Sequence, residues 1–314
     1  MVFRWASDLG SRATGLLALS LYALDPNLIA HSALITTDAA AVTLIVATLY
    51  LVYRLMQRES MAARSSLGAL PRLAAIGGLL GLAQLTKVSA LTLVPVVGAL
   101  LLVDSIRLHR RPGPAMKRWA GDFGIVVAAA AAVIWAGYGF GIASVGDSGL
   151  RLPAAPHVEI FLSLREHYDL GHPTFALGRV SSDGWWWYFP VAFALKTPLP
   201  ALILGLAGAA GLGLAIVRRQ LPEQRAKAGA GDSGFAGLTD RIRRAVQLGV
   251  ASRILSVALF PALYAAASVF STVNIGYRHL LPLLPFLYIG LAWALTRAVP
   301  RLVGDACAIA VGVL

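Results

Sequence analysis

Apolar runs of membrane-spanning length constrain this chain more than any other feature. Between Asp38 and Met56 the only charged residues are Asp38 itself and Arg54. A helix needs about 20 such residues to cross roughly 30 Å of hydrocarbon. Similar runs are predicted at Leu73–Thr86, Ser89–Val103, Gly121–Ala143, Ile254–Val273 and Leu280–Leu295. Inside a bilayer every backbone N–H and C=O must be satisfied within the segment, which leaves helices or closed barrels. The runs predict an all-α fold, a polytopic transmembrane helical bundle of about eight or nine membrane segments. Composition agrees. Only 13% of residues are charged, about half of the ~25% in a soluble domain. The single cysteine, Cys307, excludes an intrachain disulfide and a cysteine-based metal site.

The net charge of +12 is not read as nucleic-acid binding, because excess Lys and Arg mark the cytoplasmic loops of membrane proteins. In the topology that follows from the runs, 21 of the 27 Lys and Arg fall on one side. That side holds the loops expected at 57–72, 105–120 and 218–253, the last with an Ala/Gly-rich, flexible middle from Ala226 to Gly237. The opposite, outer side receives 25–37, the turn at Lys87, a long polar segment at 144–184 and the turn at 274–279. Five of the six histidines also fall there: His31, His157, His167, His172 and His279. The expectation is one membrane domain over 1–314 in the cytoplasmic membrane, its chemically varied face turned outward.

Four stretches carry candidate chemistry. The first runs from Asp25 through His31 to Asp38 (DPNLIAHSALITTD). Pro26 starts a helix rather than continuing one. Asp38 at a helix mouth is costly against lipid and is expected to face a wet cavity, although Thr37 or Asp38 would also serve as an N-cap. The second, GLAQLTK, ends in Lys87, which either snorkels to the interface or supplies a point charge for a phosphate. The third runs from Arg165 to Pro200. In it, Glu166, His167, Asp169 and His172 form a weak divalent-cation constellation of the Zn or Mn type, and no other cofactor is suggested. Trp186 and Tyr188 belong to an aromatic cluster that either anchors at the interface or faces sugar rings and prenyl chains. Lys196-Thr197-Pro198 reads as a rigid break before an inward helix at Leu199. The fourth, NIGYRHLLPLLP, crowds Asn274, Tyr277, Arg278 and His279 into one turn, where Arg278 offers the planar fork that grips phosphate.

These stretches, in this order over positions 25 to 285, resemble the GT-C glycosyltransferases. The resemblance is to the bacterial branch of glycosyltransferase family 39, related to protein O-mannosyltransferases and lipid A aminoarabinose transferases. It implies transfer of a sugar, commonly mannose, from a polyprenyl-phosphate donor to a hydroxyl on a protein, lipid or glycan. The resemblance further implies that this transfer takes place on the outer face of the membrane with inversion. Lys87, Lys196 and Arg278 would then bind the donor phosphate. Asp38 would be the catalytic candidate, and Asp25, His31, His172, Trp186, Tyr188, Asn274 and His279 would line the cavity. The family's acidic residue in a first outer loop has no counterpart here, so the sequence reads as a fragment lacking an N-terminal helix pair. A flippase for a lipid-linked sugar and a non-catalytic membrane subunit are the competing readings.

Overall fold

The computed structural model describes residues 1–57, 66–109, 111–170, 173–211 and 249–297, and their side chains except at 66–67, 164–170 and 249–251. The short helices α1 (Val2–Leu9), α2 (Arg12–Ala23) and α3 (Pro26–Ala33) come first. The long α4 (Asp38–Met56), α5 (Ser66–Thr86), α6 (Leu93–Leu108) and α7 (Pro112–Gly137) follow. A polar segment holds strands β1 (Ile142–Ser144) and β2 (Arg151–Pro153), helix α8 (Ala155–Leu170), and strands β3 (Thr174–Ala176) and β4 (Arg179–Ser181). The helices α9 (Tyr188–Lys196), α10 (Leu199–Gly211), α11 (Gly249–Val269) and α12 (Tyr277–Arg297) complete the described chain, α12 opening with a 3-10 turn.

Six helices are long and apolar enough to cross a membrane among the described residues, and two bent pairs raise that to eight. The bends fall where the sequence places prolines. Ser11 caps α2 through a reciprocal pair with Thr14, and the chain then turns by 56° before α3. There Pro26 occupies the first turn and Asp25 accepts the Leu28 N–H at 2.9 Å. The pair α9–α10 turns by 110° around Thr197-Pro198.

Two features fix the packing. Trp5 is fully buried, 5.6 and 5.5 Å from the rings of Tyr50 and Tyr53 and 5.8 Å from Phe286, so one indole joins α1, α4 and α12. Gly77 and Gly81 let α5 lie directly on α7. A Cβ at Gly77 would sit 2.3 Å from the Val126 carbonyl oxygen, and one at Gly81 would sit 2.7 Å from that of Ala130. Lipid gives helices no hydrophobic reason to associate, so small residues that admit close backbone contact supply it.

Three loop expectations need correction, and the first is that α5 already starts at Ser66, inside the loop placed at 57–72. The loop placed at 105–120 is mostly helix, because α6 runs to Leu108 and α7 starts at Pro112. Two of its cations sit on helix ends one turn from a carboxylate, Arg107 4.0 Å from Asp104 and Arg118 3.3 Å from Asp122. The start of α11 at Gly249 likewise lies inside the stretch expected as a loop to residue 253, and residues 218–248 lie outside the described chain. The polar segment expected at 144–184 is structured, with two antiparallel hairpins flanking α8.

Candidate functional site

The site is built from the ends of α4, α5, α9 and α12. Asp38 opens α4, and the preceding Thr37 makes no side-chain cap. Asp38 Oδ1 instead accepts a hydrogen bond from Lys87 Nζ at 2.5 Å. Only 6% of the Asp38 side chain and 20% of the Lys87 side chain are exposed. Lys87 stands just past the C-terminus of α5, its N–H on the Ala83 carbonyl. A carboxylate at a helix N-terminus and an ammonium at a helix C-terminus are each favoured by the local dipole. The pair therefore bridges two oppositely directed helix ends.

The first turn of α12 lands beside this pair. His279 is buried, with its ring centroid 5.1 Å from Phe189 and 5.2 Å from Tyr264. It lies within the electrostatic reach of Lys87, Asp38 and Arg278. Its Nδ1 is buried without a hydrogen-bond partner among the described residues. A buried polar atom of this kind is a point where a ligand hydroxyl or water bonds. Arg278 itself is exposed. The first turn of α12 thus sets His279 within reach of Asp38 and Lys87, with the exposed Arg278 beside it in the chain.

A second polar group fastens the frame. Asp25 is buried and, besides capping α3, accepts a hydrogen bond from the Tyr288 hydroxyl of α12. Tyr277 and Thr197 share a hydroxyl–hydroxyl bond of 2.9 Å, and Asn27 Nδ2 donates to the Lys196 carbonyl at 3.0 Å. The α9–α10 break is thereby held to both α3 and α12. The Lys196 backbone is part of this clasp while its side chain is exposed. Asp25 accordingly acts as a structural anchor in the described geometry.

Asn274 ties the polar segment down. Its Oδ1 accepts the Trp185 N–H at 2.7 Å, and its backbone oxygen accepts from Thr174 Oγ1 at 3.3 Å. Gly184 makes this possible: its φ is +65°, and a Cβ would sit 2.5 Å from the Thr272 oxygen and 2.6 Å from Asn274 Oδ1. Of the aromatic cluster, Trp185 and Trp187 stack at 5.1 Å and Tyr188 packs edge-on to Phe189, while Trp186 is 69% exposed.

His31 falls in the last turn of α3, and its Nδ1 is also buried without a partner among the described residues. Glu166, His167 and Asp169 lie on α8 with side chains outside the description, and His172 lies outside the described residues altogether. Among the described residues no three His, Cys, Asp or Glu are arranged to hold a metal ion. Sequence reasoning missed Tyr288 and Gly184 and gave Thr197 no partner. Tyr288 stands in an apolar run with nothing to mark it. The Lys-Thr-Pro break did signal Thr197, and the glycine ahead of three tryptophans could have been read as a left-handed turn.

Residues 1–135, which include Asp25, Asp38 and Lys87, match a family model described as dolichyl-phosphate-mannose-protein mannosyltransferase. No curated protein and no solved structure matches the chain. Over that N-terminal portion the chain is similar to membrane mannosyltransferases, and the buried Asp38–Lys87 pair lies within it.

Proposed function

We propose that this chain is a membrane glycosyltransferase. It moves a mannose-like sugar from a polyprenyl-phosphate donor to a hydroxyl acceptor, with the Asp38 end facing outward. The observation that carries the reading is the buried Asp38–Lys87 pair inside the region similar to mannosyltransferases. The acceptor oxygen attacks the anomeric carbon from the face opposite the phosphate. The bond from that carbon to the phosphate oxygen breaks, and its electron pair leaves with the lipid phosphate. The acceptor's proton passes to Asp38. The donor is a phosphodiester with one negative charge, and the released lipid phosphate carries two. As that charge grows, Lys87 turns from Asp38 to the phosphate while Asp38 is neutralised. The pair exchanges partners and the buried charge stays balanced. Arg278 and Lys196 add cations from α12 and the α9–α10 break, and His279 Nδ1 is placed to bond a sugar hydroxyl.

The test is transfer in detergent from polyprenyl-phosphate mannose to a hydroxyl acceptor, with no bilayer to cross. We expect glycosylated product with wild-type protein, loss of product in Lys87→Ala and Asp38→Asn, and a marked reduction in Arg278→Ala. Unchanged transfer in Lys87→Ala would overturn the assignment. A flippase is the second reading, supported by a cavity at the opposite end of the bundle. It would move lipid-linked sugar across vesicles and give no product in detergent.

A further inference from the structure

A cavity of about 910 Å³ opens at the end of the bundle away from the Asp38–Lys87 pair. Four arginines from four helices line it: Arg4 of α1, Arg54 of α4, Arg72 of α5 and Arg253 of α11. Asp8 is the one carboxylate lining it among the described residues. Asp8 Oδ2 lies 3.9 Å from Arg54 Nη1 and 3.5 Å from the Tyr50 hydroxyl. Arg72 donates to the Gly68 carbonyl at 3.2 Å and Arg253 Nε to Gln57 Oε1 at 2.9 Å, both neutral acceptors. The described wall therefore carries three more positive charges than negative ones. Its floor is the buried pair Tyr50 and Tyr53, and Leu51 and Ala75 add apolar surface.

The tendency of arginines to collect at one end of membrane helices explains why they are present. It does not require four of them to converge on one concavity with an aromatic floor. Guanidinium forks bind phosphate oxygens two at a time. A volume of this size falls within the roughly 300–1,000 Å³ of small-ligand sites. Basic pockets between transmembrane helices suit anionic lipid headgroups.

We infer that this cavity binds the phosphate headgroup of an anionic phospholipid. The arginines hold the phosphate, and the tyrosine and leucine surface receives the glycerol and the first acyl carbons. The site is separate from the proposed transfer chemistry and does not depend on it.

The experiment is thermal unfolding and native mass spectrometry of the purified full chain in neutral detergent. The probes are phosphatidylglycerol, phosphatidylcholine and inorganic phosphate. Phosphatidylglycerol is expected to stay bound and to raise the unfolding midpoint, and phosphatidylcholine to do neither. The Arg54→Gln/Arg253→Gln double variant should bind phosphatidylglycerol about tenfold more weakly, the equivalent of about 1.4 kcal/mol. Asp8→Asn removes the competing carboxylate and should bind it more tightly, which keeps the test decisive if the double variant does not fold. Equal affinity in wild type and variants, or equal effects of the two lipids, overturns the inference. A full shift with inorganic phosphate alone overturns the lipid assignment and makes the cavity a site for a free anion.

Discussion

At one end of the bundle Asp38 and Lys87 are largely buried and bound to each other; at the other, Arg54 keeps 54% of its side chain exposed and stands 3.9 Å from Asp8. The first pair has surrendered its hydration, so each charge depends on the other being there. The second keeps its water, so each charge stands without a partner at little cost. The difference decides what each end can do. In the proposed function the buried pair meets an incoming anion by exchanging partners, and the acceptor's proton neutralises Asp38. In the described wall, an exposed basic cluster of four arginines and one carboxylate takes up an anion with only Asp8 competing. This contrast is why we propose chemistry at the first end and binding at the second.

The largest expected effect tests the first half of this contrast. Lys87→Met strands the Asp38 carboxylate in a buried position, and breaking a buried pair from one side costs about 3–5 kcal/mol. Thermal unfolding in detergent should show a large drop in midpoint. The double variant Asp38→Asn/Lys87→Met should recover most of it, because no lone charge remains. Transfer should be absent from both proteins. A single variant as stable as the double would mean that the pair is hydrated after all and that the two ends do not differ in kind.

Asp25 sharpens the same point with a carboxylate whose two partners are neutral, the Leu28 N–H and the Tyr288 hydroxyl. Asp25→Ala removes the cap of α3 and orphans a buried hydroxyl, which together cost about 2–3 kcal/mol. Tyr288→Phe removes only one bond and should cost less. If Tyr288→Phe proved the more damaging of the two, the cap would not be what Asp25 contributes.

What the sequence revealed follows the range of the forces involved. The α4 span was legible to the residue, because Asp38 and the first uncharged turns mark its start and Arg54 its last turn. Both helix breaks were legible because proline acts locally on the backbone. The ends of α6 and α7 were not, since charges spaced one turn apart look like a loop to composition and like a paired helix end to geometry. Asp38, Lys87, Arg278 and His279 could each be singled out from sequence. That Lys87 closes on Asp38, 49 residues away, could not. Nor could the bond between Asp25 and Tyr288, 263 residues apart. Both depend on how helices stack, and no local pattern encodes that.

Gly184 tests whether the Asp38 end also depends on backbone geometry. Alanine there would have to adopt φ near +65° and place its Cβ against the Thr272 oxygen and Asn274 Oδ1. The strain should cost about 1–2 kcal/mol and disturb the bond between Asn274 and the Trp185 N–H. Unfolding of Gly184→Ala would report the first effect. Faster proteolysis within residues 173–184 would report the second, and native resistance there would mean that the polar segment is held elsewhere.

The smallest effect is expected at the arginine end. Arg54 lies 3.9 Å from Asp8, donates to the Tyr50 hydroxyl at 3.2 Å and places its guanidinium 5.9 Å from the Tyr50 ring centroid. Each contact is made by an exposed side chain in high dielectric and is weakened by salt. Arg54→Gln should therefore change stability by no more than about 0.5 kcal/mol. Wild type and variant should have nearly the same unfolding midpoint at low ionic strength and converge fully at high. A neutral outcome does not make the residue idle. An arginine whose contacts add almost nothing to the resting fold can exchange them for a phosphate, so on the proposed lipid site its contribution should appear only when anionic lipid is added. A loss of several kcal/mol without lipid would show that this end is knit as tightly as the other, and the proposed distinction between a reacting end and a binding end would fail.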